Sequence, residues 1–139
     1  MVHALEEIKR SLVPGGILVD LRPVADHWPV ELVSGQSSQE VGRLQDLPEG
    51  LADDAAAAEA AAYILQAGWF TLEKSIIFDF FYYWNTPEEM RDYILEQWVD
   101  FIALPEEVDQ LTRSSWKNSG VDGRVRVRLK MHLSIYRKS

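Results

Sequence analysis

Asp20, Arg22, Asp26, His27 and Trp28 lie close together, directly after the apolar run Ile17-Leu18-Val19. A carboxylate, a guanidinium and an indole just beyond the C-terminal end of a strand can hold a small polar substrate, because open α/β sheets bind ligands there. The plainer reading is preferred. Asp20 and Arg22 pair or cap local backbone, and Trp28 packs beneath the segment that follows. A second group, Tyr82, Tyr83 and Trp84, closes the aromatic run that begins at Phe78. With period two, such a run supplies core on one face and contact surface on the other, so these three are candidates for touching a partner or ligand.

A third group is basic. Arg124, Arg126, Arg128 and Lys130 alternate with Val125, Val127 and Leu129. Residues 124 to 139 hold six of the 14 Lys and Arg and none of the 22 Asp and Glu, within a chain of net charge −8. This strip either pairs with acidic neighbours in the fold or binds an anion, and the first is expected. Duplex nucleic acid is a poor partner for so acidic a body.

Other chemistry finds little support. His3, His27 and His132 lack the mutual spacing of metal ligands, so no metal site is expected. There is no cysteine and no Gly-x-Ser-x-Gly turn, so thiolate and nucleophile-elbow chemistry are both excluded. Glu88, Glu89, Glu106 and Glu107 read as first-turn acids favoured by the helix dipole, not as a catalytic pair. No catalytic residue is assigned.

These groups must be placed by a chain of 139 residues, of which 47% are hydrophobic and 26% charged. That is the composition of one folded domain. No apolar run approaches the roughly 20 residues of a membrane span. Glu6, Glu7, Lys9 and Arg10 interrupt the N-terminal segment, which therefore does not read as a secretory signal. A cytoplasmic location is the expectation.

The spacing of Val2, Leu5, Ile8 and Leu12 predicts a helix, stopped by Pro14-Gly15-Gly16. Ile17 to Leu21 reads as a strand covered on both faces. Val30–Val33 and Glu40–Leu44 predict a hairpin around Ser34-Gly35-Gln36-Ser37-Ser38. Asp53 or Asp54 is placed to cap an alanine-rich helix ending at Gly68. Trp69 to Trp84 has strand periodicity. Thr86-Pro87-Glu88-Glu89 opens a helix with Met90, Tyr93, Ile94, Trp98 and Phe101 inward. A further helix begins near Pro105, with Val108, Leu111 and Trp116 inward. The final segment alternates strictly, which predicts a strand with Val125, Val127, Leu129, Met131, Leu133 and Ile135 on one face.

The stretch Leu5-Glu6-Glu7-Ile8-Lys9-Arg10-Ser11-Leu12-Val13-Pro14-Gly15-Gly16-Ile17-Leu18-Val19-Asp20 resembles class I S-adenosylmethionine-dependent methyltransferases. There, a helix ends in a Leu-x-Pro-Gly-Gly turn and feeds the fifth strand. Gly68-Trp69-Phe70-Thr71-Leu72 is similar to the family's entry into its sixth strand, and Thr86-Pro87-Glu88-Glu89-Met90 to a helix often inserted before its seventh. The resemblance covers the whole chain and about half of the family's fold. It implies an α/β (α+β-like) fragment with flanking helices and a small mixed or antiparallel sheet, in which the seventh strand lies antiparallel between the fifth and sixth.

One domain over residues 1–139 is expected. It comprises a helix and buried strand (1–21), a loop and hairpin insertion (22–50), and a helix, long strand, two helices and long strand (51–139). The family's glycine-rich cofactor loop and the acidic residue after its second strand have no counterparts here. The resemblance therefore implies no cofactor bound by this chain alone, and S-adenosylmethionine only if a missing half is supplied. It implies a methyltransferase-like module acting by association or small-ligand binding. The alternatives are the second half of a split methyltransferase, or a truncated one. The unpaired edge of the family's fifth strand further implies a homodimer, the competing answer being that the hairpin at residues 30–44 folds back and caps that edge.

Overall fold

The computed structural model describes residues 1–120 and 122–139. The elements in chain order are α1 (Val2–Ser11), β1 (Ile17–Pro23), β2 (Pro29–Ser34), β3 (Ser37–Arg43), β4 (Gln45–Asp46), α2 (Pro48–Gln66), β5 (Phe70–Trp84), α3 (Pro87–Gln97), β6 (Ile102–Ala103), α4 (Glu106–Lys117) and β7 (Arg124–Lys138). The fold is mixed α+β. Five strands form an antiparallel sheet in which β7 pairs with β1, β2 and β5, and β4 pairs separately with β6. Among the described residues no helix is long and apolar enough to cross a membrane.

Contacts cluster into two units, with α2, β5 and β7 contributing to both. The first unit is Met1–Val24, Ala52–Phe78 and Met131–Ser139. Here β1 runs antiparallel to β7, from Ile17 opposite Arg137 to Pro23 opposite Met131. Side chains of opposed residues share a face. Leu18 and Tyr136 therefore point the same way, toward a cluster of Ile64, Phe70 and Tyr136 packed by Leu5, Ile8, Leu12, Ala61 and Trp69. Ala57, Ala60 and Ile64 are the buried positions of α2, whose alanines let the helix approach closely.

Expectations for β1, β5 and the start of α2 fail. β1 is not covered on both faces: Ile17, Val19 and Leu21 are 50%, 56% and 56% exposed, while the alternate residues are half-buried. The helices α1 and α2 cover one face only, so apolar residues on the other meet water. On β5, whose alternate residues from Phe70 to Trp84 are apolar but for Lys74, only Phe70 is buried; Leu72, Ile76, Phe78 and Phe80 are exposed along the strand. The helix α2 also begins at Pro48, ahead of the expected Asp53 or Asp54 cap, because proline suits a first helical turn.

The second unit is Ala25–Leu51 and Asp79–Lys130. The β2–β3 hairpin is present, turned by Gly35 at φ 60°, with a register shift between Val30 and Glu31. Residues Val30 to Val33 pair with Val127 to Arg124 of β7. The core is Val30, Leu32, Val41, Val108, Val125, Val127 and Leu129, with Met90, Ile94 and Trp98 from α3 and the residue that follows it. The helix α3 is capped as predicted by the Thr86 hydroxyl, which accepts from the Glu89 backbone N–H. The Glu89 carboxylate accepts from the Asn85 backbone N–H, one residue before the cap.

The inward face of α4 is Val108, Asp109 and Thr112; the expected Leu111 is 49% exposed. The Thr112 hydroxyl satisfies itself on the Val108 carbonyl at 2.6 Å, which permits its burial. In β7 the expected single apolar face is not maintained. Val125, Val127 and Leu129 are buried, but so are Ser134 and Tyr136, and Met131, Leu133 and Ile135 are half-buried.

Candidate functional site

In the first unit Asp20 and Arg22 lie on the same face of β1 and meet through Arg22 Nε and Asp20 Oδ2 at 3.4 Å. The Arg22 side chain is 18% exposed, and its Nε is buried without a hydrogen-bond partner. Opposite them on β7 stand Ser134 and His132. The Nε2 of His132 lies 2.7 Å from the Ser75 hydroxyl and 3.1 Å from that of Ser134, which is fully buried. The Arg137 guanidinium binds the Glu73 carboxylate and the Gly15 carbonyl. The bond to Glu73, strengthened by its charge, holds Arg137 above the usual arginine range. Lys138 Nζ donates to the carbonyls of Lys9 and Leu12, closing the C-terminal end of α1.

A cavity of about 280 Å³ opens beside this cluster. Leu5, Ile8, Leu18, Ile64 and Tyr136 wall it, and Asp20 and Arg22 are its two charged side chains.

Of the expected loop residues, only Asp20 and Arg22 pair with each other. His27 and Trp28 belong to the second unit. His27 adopts φ 44°, uncommon for a non-glycine residue. Its backbone N–H donates to Asp46 Oδ2 at 3.0 Å, and its Nδ1 lies 3.5 Å from the same oxygen. Asp46 is 4% exposed in its side chain, and its other oxygen is buried without a hydrogen-bond partner. Trp28 is core, edge-on to Trp98 at 5.4 Å and to Phe101 at 6.5 Å.

Tyr82 and Trp84 close onto Tyr93 and Trp98, with ring centroids 5.3–6.0 Å apart. These rings pack against one another. Desolvation, with a hydrogen bond to Tyr82, raises the Tyr93 hydroxyl above the ordinary tyrosine value. Tyr83 is separate: it faces Phe81 and lies beneath the Arg124 guanidinium, 4.7 Å from ring centroid to cation.

The basic strip is partnered by neighbouring strands and a loop. Arg126 Nε donates to Glu31 Oε1 at 2.9 Å and its Nη1 to the Tyr83 hydroxyl, with Phe81 stacked at 4.5 Å. Desolvation would lower the Arg126 pKa, but the bonds to Tyr83 and Glu31 outweigh it and raise it. Arg128 lies between Glu31 and Asp79, each 3.7 Å away. Lys130 lies between Asp26 at 3.7 Å and Asp79 at 3.6 Å. Around Arg126, Arg128 and Lys130 acidic side chains therefore occupy the positions that an anion would need.

Sequence reasoning missed Asp46, Glu31, Asp79 and the Ser75–His132 contact. Glu31 and Asp79 carried a signal, since each is an acid at the centre of an apolar strand. Nothing local marked Asp46. Among the described residues no group of three or more His, Asp or Glu is placed to hold a metal ion. Comparison of the chain with protein-family models, curated proteins and solved structures returned no match.

Proposed function

We propose that the chain is a methyltransferase-like module without methyl transfer of its own, which works by association through β1. One observation carries this reading. Ile17, Val19 and Leu21 stand half-exposed on a strand that, among the described residues, pairs on one side only, with β7. An apolar edge strand is a template for another chain, and proteins seldom leave one open. Within the first unit β7 contacts β1 and β5 at the same residues, Arg137 meeting both Ile17 and Glu73. This is the arrangement that the resemblance implies for the fifth, seventh and sixth strands, and it supports the reading.

The occupant of the edge is a second copy. An isologous pair about a two-fold axis would bury about 1,600 Å² or more in total. Light scattering coupled to gel filtration at micromolar concentration should give twice the 15.9 kDa chain mass. Val19→Lys should return the chain to a monomer, since an edge lysine opposes strand addition. A wild-type monomer would sink the homodimer.

The free edge of β1 also favours the split-enzyme reading, since the resemblance places a fourth strand there. Titration calorimetry separates the two. The chain alone should show no binding of S-adenosylmethionine; micromolar binding by the chain alone would overturn the module reading. Binding that arises only when a glycine-rich β-α-β polypeptide is added would establish the split enzyme instead.

A further inference from the structure

The cavity of the first unit presents a pattern of charge that selects among small molecules. Its walls are apolar: Leu5 and Ile8 from α1, Leu18 from β1, Ile64 from α2 and Tyr136 from β7. At about 280 Å³ it falls just below the range of drug-sized ligand sites, so its guest must be small. Among the described residues its charged side chains are one acid and one base, held side by side on one face of β1, with Met1 also at its wall.

Asp20 and Arg22 are not saturated by each other. Their contact is a single approach of 3.4 Å, and Arg22 Nε makes no hydrogen bond although it is buried. A guanidinium has five N–H donors, and a carboxylate can accept about four. Both groups thus retain capacity toward a guest, and hydrogen bonds to charged groups are the stronger kind. A guest carrying only a carboxylate would be drawn to Arg22 and repelled by Asp20. A guest carrying only an ammonium would meet the reverse. A guest carrying both on one carbon matches the pair, its carboxylate on the guanidinium and its ammonium on the carboxylate. Its remaining part must be apolar to lie against Leu5, Ile8, Leu18 and Ile64.

We propose that this cavity binds a free apolar α-amino acid, in zwitterionic form, through Asp20 and Arg22. No residue of α1 is fully buried, so this helix forms the wall most easily displaced for entry. The association reading is tested separately, by mass; its exposed residues Ile17 and Leu21 do not line the cavity, while Val19 borders it.

Titration calorimetry of the full chain with L-leucine, L-methionine and L-phenylalanine tests it. At least one should bind saturably in the micromolar to millimolar range, as expected of so few atoms. N-acetyl-L-leucine lacks the ammonium and L-leucinamide lacks the carboxylate. Each should bind at least about tenfold more weakly than leucine. Arg22→Met and Asp20→Asn should each lower leucine affinity by a similar factor. Circular dichroism checks that the variants fold; if Arg22→Met does not, Asp20→Asn and the wild-type ligand series decide the matter. No saturation by any of the three amino acids up to about 20 mM would overturn the proposal. So would equal binding of leucine and its N-acetyl form, or unchanged affinity in a folded Arg22→Met or Asp20→Asn variant.

Discussion

Glu31 and Arg126 are direct cross-strand neighbours of β2 and β7, and their side chains meet at 2.9 Å with 8% and 16% of their surfaces exposed. Glu31 is buried and Arg126 half-buried, so the members depend on each other. Removing one leaves the other charged and desolvated, which typically costs about 3–5 kcal/mol. Glu31→Ala should therefore destabilise the chain by roughly that amount in urea denaturation. Arg128, whose Nε is already buried without a hydrogen-bond partner, would lose a neighbouring charge as well. A loss below about 1 kcal/mol would place this pair with surface ion pairs.

This pair also shows what the sequence made legible. Strict alternation in residues 124–130 predicts both the strand and its basic face, because period two needs no knowledge of neighbours. The identity of the acids opposite does not follow, since Glu31 is 95 residues away along the chain. The helix α3 was legible for a local reason: its cap, its proline and its apolar spacing lie within a few residues. By contrast, an apolar strand such as Ile17–Leu21 reads as covered on both faces whether or not helices exist to cover it. The number of covering elements is a property of the whole chain. The same limit hid the start of α2 and the shift of burial along β7. At the candidate site, Asp20 and Arg22 were legible as a local pair, whereas their opposition to Ser134 and His132 depends on register.

Gly42 is where the hairpin approaches α4. A Cβ added there would lie 2.7 and 2.8 Å from the two γ-methyl carbons of Val108, a buried residue with little freedom to move. Overpacking of this kind costs about 1–3 kcal/mol. Gly42→Ala should lower the thermal midpoint, and Val108→Ala in the same chain should recover part of the loss. A double-mutant cycle by calorimetry checks this: contacting sites should be non-additive, and strict additivity would show that they do not meet.

Tyr93 links the aromatic cluster to pH. Its hydroxyl is held above the ordinary value of 10.0, first by desolvation and then by the hydrogen bond to Tyr82. The folded state therefore keeps this proton at a pH where the unfolded chain has released it. The linked stability is present below pH 10 and is lost as pH rises through the folded-state value. In ultraviolet titration Tyr93→Phe should remove a late-ionising component and flatten the decline in stability above pH 10. A tyrosine titration unchanged by Tyr93→Phe would refute the assignment.

The pairing of β1 with β7 bears on how the protein is made. Ile17 finds its partner at Arg137, so the strand that leaves the ribosome first in this unit must wait for the one that leaves last. At translation speeds of about 5–20 residues per second, the wait is on the order of ten seconds. Throughout it, Ile17, Val19 and Leu21 have neither a paired edge nor a packed sheet behind them. Vectorial synthesis thus leaves an apolar strand without its partner for that whole interval, and codon usage or chaperone supply across the intervening hundred or so residues becomes a determinant of yield.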